Sequence, residues 1–265
     1  MKILIIGELI NASNKSVQKA IINHDEEFVT NLAEKQAASG AHYIDVNVAT
    51  GKGEQKQEIE DMDWAVKIIQ EKVDKPICID TTDYKVLEAG LKAHKGQAMI
   101  NSISHEGGRL QEFLDLASEY GAKSIALPIT EKGIPSTFEE RLEVCEKIIE
   151  ESVKNNYNKE DLYFDPLVLP ISVDTQNGLI TMKTLEGIKS MEAKTTIGLS
   201  NLSFGMPERE LLNKAFLLIV MQYLDSVIMN PLDQEMKKLI IAGNAVLGRD
   251  KMCMNYLRAY RNKEL

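Results

Sequence analysis

Residues 76–104, PICIDTTDYKVLEAGLKAHKGQAMINSIS, hold one complete copy of the pattern that governs the chain. PICIDTT (76–82) is a short, nearly continuous apolar run, as expected of a strand buried on both faces. Asp83 stands where a helix N-cap belongs, and DYKVLEAGLKAH (83–94) carries its apolar residues at helical spacing. QAMINSIS (97–104) then starts another strand. A strand–helix–strand unit of about 30 residues is the building block of a parallel sheet.

Outward from this unit the pattern repeats in both directions. Further strand-like runs are KILIIGELI (2–10), HYIDVNV (42–48), KSIALPIT (123–130), LYFDPLVLP (162–170), KTTIGLSNL (194–202) and DSVIMNP (225–231). Amphipathic segments lie between them. EEFVTNLAEKQAASG (26–40) closes on Gly40, and TFEERLEVCEKIIEESVKNN (137–156) opens with a Thr137/Glu140 capping box. ERELLNKAFLLIVMQYL (208–224) is apolar nearly all round, which predicts the best-buried helix. EMKKLIIAGNAVL (235–247) and KMCMNYLRAYRN (251–262) finish the chain. Eight units in 265 residues predict an α/β fold, a single (β/α)8 TIM barrel forming one domain over residues 1–265. An open doubly wound sheet is the runner-up, but GELINAS follows the first strand where a dinucleotide fold has G-x-G-x-x-G.

Composition excludes several classes. Hydrophobic residues make up 44% and charged residues 27%, enough for a large core under a soluble surface. With a net charge of −9 and no dense basic block, nucleic acid is not an expected partner. Cys78, Cys145 and Cys253 form no C-x-x-C pair and are odd in number, which suits the reducing cytoplasm. MKILIIGELI (1–10) is interrupted by Glu8 and reads as a strand rather than a signal peptide. AFLLIVM (215–221) is far shorter than the ~20 residues that span a bilayer, so no membrane association is expected.

In such barrels the site lies at the C-terminal ends of the strands. Read strand by strand, those ends carry Glu8 and Asn11, Asp45 and Asn47, Asp80, Asn101 and Ser102, Pro128 and Thr130, Asp165, Ser200 and Asn201, and Asn230. Singly, each Asp or Asn has a plain reading as a cap or turn residue. Together they form a ring of carboxylates and carboxamides around one mouth. Asp45, Asp80 and Asp165 follow directly on apolar strand residues and repel one another unless a ligand or donors compensate. No lysine ends a strand, which disfavours a Schiff-base aldolase. The four histidines lack metal-ligand spacing, so no metal site is expected, and no G-x-S-x-G elbow occurs. A neutral heterocycle with a donor-rich edge suits such acceptors: one carboxylate takes the amino group and adjacent ring N–H of a 2-aminopyrimidinone as a bidentate pair. Pterins and guanine bases both carry that edge.

The pieces IGELIN (6–11), YIDVNV (43–48), ICIDTTD (77–83), AMINSIS (98–104), GIP (133–135), LYFDPLVLP (162–170), GLSNLSFGMPERELLN (198–213) and DSVIMNP (225–231) narrow the choice by their order and spacing. With them the chain resembles the pterin-binding methyltransferases, which move a methyl group between methyltetrahydrofolate and a corrinoid protein. It is also similar to the folate domain of cobalamin-dependent methionine synthase.

The resemblance implies a pterin in the C-terminal mouth, with Asp80, Asn101 and Asp165 on the pterin edge and Gly198 and Ser200 beside the ring. It places Asn201 near the pterin N5 as the catalytic residue, and Arg209 at the mouth. Asp45 and Asn47 match pterin-binding positions as well, although Asn47 also reads as a support for the floor. Tetrahydrofolate or 5-methyltetrahydrofolate is then the substrate, cobalamin is carried by a separate corrinoid partner protein, and the barrel is a homodimer without bound metal. Either direction of transfer fits, including demethylation with tetrahydrofolate as acceptor.

Two departures stand out. Leu9 occupies a position where the family often has arginine, and Phe204-Gly205 is closer to the methionine synthase version. Dihydropteroate synthases share the expected fold, but their strand-7 lysine is absent from GLSNLSFG. A dihydropteroate synthase-like enzyme and a non-catalytic folate-binding barrel are the alternatives.

Overall fold

The computed structural model describes residues 3–265. Lys2, read as the head of the first strand, lies outside them. Each inner strand is followed by at least one helix. β1 (Leu4–Asn11) leads to two, α1 (Lys15–Ile22) and α2 (Glu26–Ala38). Then come β2 (Tyr43–Asn47) and α3 (Gln55–Lys72), β3 (Ile77–Asp80) and α4 (Tyr84–Ala93), and β4 (Met99–Ser104) and α5 (Leu110–Glu119). The second half holds β5 (Lys123–Leu127) and α6 (Phe138–Lys154), β6 (Leu162–Phe164) and α7 (Asn177–Ser190), and β7 (Lys194–Thr195) and α8 (Arg209–Val220). β8 (Ser226–Met229), α9 (Gln234–Val246) and α10 (Met254–Arg261) complete it.

All the pairings are parallel, in the order β7-β6-β5-β4-β3-β2-β1-β8. A bridge between Gly198 and Ile228 joins the two ends, so the sheet closes into the expected (β/α)8 barrel. At this seam the Ile228 N–H donates to the Ile197 carbonyl at 2.8 Å and the Asp225 N–H to that of Thr195 at 3.3 Å.

Local chemistry sets the helix ends. Asp83 accepts from the N–H groups of Lys85 and Val86 at the start of α4, and Thr137 and Glu140 complete the capping box on α6. Gly40, at φ +93°, takes the left-handed position after α2. The lumen is filled by Ile6, Tyr43, Cys78, Met99, Ile125 and Tyr163, while larger clusters fill the space between strands and helices.

Two sequence expectations need correction. The segment 208–224 is not the best-buried helix: α8 ends at Val220 in a 3-10 turn and buries Phe216, Leu217 and Val220, while Leu211 (67% exposed), Leu218 and Ile219 face outward. A helix in the outer ring is covered on one side only, so apolar residues all round leave an apolar outer face. Four helices, α1, α3, α5 and α7, fall outside the segments read as amphipathic. In α7 the buried face is partly made of Asn177, Thr181 and Thr184, which dilutes its apolar stripe; the two hydroxyls bond to carbonyls one turn back. Among the described residues no helix is long and apolar enough to cross a membrane.

Candidate active site

Alternation along the strands builds the mouth. Ile6, Tyr43, Cys78, Met99 and Tyr163 point into the lumen, and two residues further on the same face carries Glu8, Asp45, Asp80, Asn101 and Asp165. An apolar floor therefore gives way to a polar rim.

On the β2–β4 side, carboxamides hold carboxyls. Asn101 Nδ2 donates to Asp45 Oδ1 at 3.0 Å, and Asn47 Nδ2 donates to Asp80 Oδ2 at 3.0 Å. Asn47 Oδ1 accepts from the Ala49 N–H. With its amide nitrogen bound to Asp45, Asn101 keeps its Oδ1 for other donors. Asp45 is 2% exposed and also accepts from the Cys78 thiol, whereas Asp80, Asn101 and Asn47 are half-buried. Asp45 and Asn47 thus act on their neighbours.

Burial pushes the Asp45 carboxyl well above the usual range, with repulsion from Asp80 and Glu8 added and the Asn101 bond opposing. Burial also raises Asp80, against the Asn47 bond. Glu8 is raised by burial and held back by Arg209 and the Asn230 N–H.

The β6–β7 side uses backbone. Leu167 N–H donates to Asp165 Oδ1 at 2.8 Å and Gly198 N–H to Asp165 Oδ2 at 3.1 Å. Asp165 is 8% exposed, and burial pushes its carboxyl up to about 6 against those two donors and Arg141. Gly198 serves twice. A Cβ there would sit 3.0 Å from Asn201 Nδ2, so glycine lets the Asn201 amide lean over the strand end. Asn201 itself is exposed, in a 3-10 turn of residues Leu199–Asn201, with Ser200 half-buried beside it. Arg209 donates to the Ser200 carbonyl at 2.9 Å and to Ser203 Oγ at 3.1 Å, and its guanidinium lies 5.9 Å from the Phe204 ring centre.

The structure therefore joins Asp45 with Asn101, Asp80 with Asn47, and Asp165 with Gly198, beside Asn201. Residue reading missed Arg141. A signal was present: Arg141, Cys145, Ile148 and Ser152 fall at helical spacing on one stripe, and that stripe is the buried face of α6. A separate cavity of about 700 Å3, lined by His24, Lys52, Gln57 and Asp61 among others, holds none of the strand-end residues. Its buried carboxylate, Asp61, already accepts from His24 and Gln57.

Acceptors on two sides of a mouth, with an amide at the third, suit a flat heterocycle rich in donors. Residues 7–229 match the family model described as pterin binding enzyme. The chain is 34% identical to a methylcorrinoid:tetrahydrofolate methyltransferase of Eubacterium limosum, over 99% of this chain and 97% of that one. Methionine synthases of Mycobacterium leprae (strain TN) and Mycobacterium tuberculosis (strain H37Rv) are 32% and 30% identical over 81% of the chain, which aligns with 19% of their length. Among solved structures, dihydropteroate synthase from Xanthomonas albilineans in complex with 7,8-dihydropteroate superposes with a TM-score of 0.72 at 16% identity, covering 92% of this chain and 93% of that one. The Yersinia pestis enzyme in a sulfonamide drug complex gives 0.70 at 15%, covering 94% and 95%. Likeness at that identity speaks for the fold alone. With the family match spanning the barrel from the first strand to the last and one relative aligned almost end to end, the chain belongs to the pterin-binding enzyme family.

Proposed function

We propose that the chain is a methyltransferase that moves a methyl group between a corrinoid protein and N5 of tetrahydrofolate, with the pterin seated in the barrel mouth. The observation that carries this reading is Gly198. Its N–H fixes Asp165, and its missing Cβ admits Asn201, so a ring-binding carboxyl and an amide for N5 share one hinge. The near end-to-end similarity to a methylcorrinoid:tetrahydrofolate methyltransferase supports the same reaction.

Asp165 and Asp80 take the amino group and ring N–H groups of the pterin, and Asn101 Oδ1 takes a further donor. Ser200 and Gly198 line the ring. N5 carries a proton in tetrahydrofolate and must regain one when its methyl group leaves. Asn201 presents both a donor and an acceptor, so rotation of its amide follows N5 through either state. Its contribution is positioning and electrostatic, in a mouth that the backbone has already organised. The corrinoid, borne by a separate partner in the cytoplasm, supplies or receives the methyl group, and Arg209 braces the loop that meets it.

A second copy of the chain covers the outward face of α8 and that of α10, which packs on α9, where Leu218, Ile219, Met254 and Tyr260 are exposed. Sedimentation checks this homodimer: Leu218→Glu is expected to run as a monomer.

Calorimetric titration of tetrahydrofolate and 5-methyltetrahydrofolate into wild type and Asp165→Asn tests the site. Saturable binding that collapses in the variant supports the assignment, and absence of binding by folded wild type overturns it. Turnover with free cob(I)alamin then separates an enzyme from a folate-binding barrel, because a binder gives no methylcobalamin.

A further inference from the structure

We propose that Arg141 is a positioning residue for the pterin site, holding the Pro166–Leu167 peptide so that its N–H stays on the Asp165 carboxylate. This rests on the reading above, in which Asp165 binds the pterin. Arg141 is 1% exposed, unusual for a cation that forms no salt bridge among the described residues. Among the described residues its guanidinium donates to backbone: to the Pro135 carbonyl at 3.1 Å, to Pro166 at 2.7 Å and to Leu167 at 2.9 Å.

The peptide between Pro166 and Leu167 links the two charges. Its carbonyl accepts from Arg141, and its N–H donates to Asp165 at 2.8 Å. Carbonyl and N–H point to opposite sides of a trans peptide, so cation and carboxylate sit across one peptide plane and polarise it in the same sense. Leu167 lies at φ +65°, a left-handed conformation that leucine seldom adopts. Arg141 binds the carbonyls on both sides of that residue and so clamps it. A lysine has no planar fork to span two loops, whereas arginine ties the loop before α6 to the loop after β6.

The groups bearing on Asp165 are Arg141 from α6 and the N–H groups of Leu167 and Gly198. Glu8, Asp45 and Asp80 stand on β1–β3 and act on one another. Cys145, one turn further along α6, faces Arg141. With Arg141 neutralised, the proton on Asp165 is held more tightly.

The test uses the full chain with 13C-labelled aspartate, the Asp165 signal being assigned by its loss in Asp165→Asn. In Arg141→Met the Asp165 midpoint is expected to rise by about half a unit or more. Tetrahydrofolate affinity is expected to fall at pH 6, about twofold from the shifted midpoint and further from the loosened peptide, and to fall less at pH 8, where the carboxylate is restored. Arg141→Lys keeps the charge and is expected to shift the midpoint less while still weakening binding. An unchanged midpoint in a folded variant overturns the proposal, and so does a raised midpoint with unchanged tetrahydrofolate affinity, because loss of the charge alone moves the midpoint without disturbing the site. Should Arg141→Met fail to fold, Arg141→Lys decides: normal tetrahydrofolate affinity there overturns the proposal. The titration needs no ligand. Wild type that shows the coupling but binds no tetrahydrofolate would refute the ligand assignment separately.

Discussion

The two walls of the mouth hold their carboxyls by different means. On the β2–β4 wall, Asp45 and Asp80 occupy neighbouring strands and each accepts from one carboxamide. Their charges repel, and burial raises both. On the β6–β7 wall, Asp165 has a backbone N–H on each oxygen and a buried arginine behind one of those peptides. Side-chain partners rotate and can leave a proton shared between two acids, whereas backbone partners fix one acid in one direction. The first wall is thus an adjustable cluster and the second a rigid anchor.

The largest effect is expected at the anchor. Asp165→Asn replaces one acceptor by a donor facing a backbone N–H, and tetrahydrofolate binding is expected to fall about 100-fold by calorimetry, as for a lost charge-assisted pair. Asn201→Ala is expected to slow methyl transfer about 100-fold in rapid-mixing experiments while changing Kd by less than about threefold. Equal losses in rate and affinity would remove any special part for Asn201 in the chemistry.

The adjustable wall should respond more mildly. Asp45→Asn keeps one acceptor for the Asn101 amide and replaces a carboxyl whose proton burial already holds tightly, so binding is expected to weaken by no more than about tenfold. A loss as large as at Asp165 would erase the distinction between the walls.

The smallest effect concerns stability. Glu8, Asp45, Asp80 and Asp165 are all raised in the folded chain, so between about pH 4 and their folded midpoints the native state binds more protons than the unfolded one. Stability therefore falls as pH rises through that window, and the Asp165 part of the fall ends near pH 6. Calorimetric scans are expected to show Tm dropping by a few degrees from pH 5 to 7, and less steeply in Asp165→Asn.

Much of the barrel and its rim was legible because both depend on short-range periodicity. A two-residue alternation puts Asp45, Asp80, Asn101 and Asp165 on the same face as the lumen residues, and one sequence suffices to read that. Partners were not legible. Nothing local pairs Asn101 with Asp45, 56 positions away, or brings Arg141 to the loop after β6. Strand length was overread in LYFDPLVLP: β6 stops at Phe164, before Pro166, which has no N–H to donate, and left-handed Leu167. The exposed face of α8 was invisible for another reason. An apolar surface awaiting a partner and one buried in a core have the same composition.

The closure at Gly198 has a mechanical consequence. β7 contributes only two residues to the ladder, so the cylinder is held shut there by a bridge and a few hydrogen bonds. Segments with few bonds open first and exchange their amide protons earliest, and a ligand that binds only the shut form slows that opening. A molecule seated against Asp165 pulls on the same glycine that closes the ring. If the pterin site lies there as proposed, a bound substrate would act as the last stave of the barrel and hold its hoop tight.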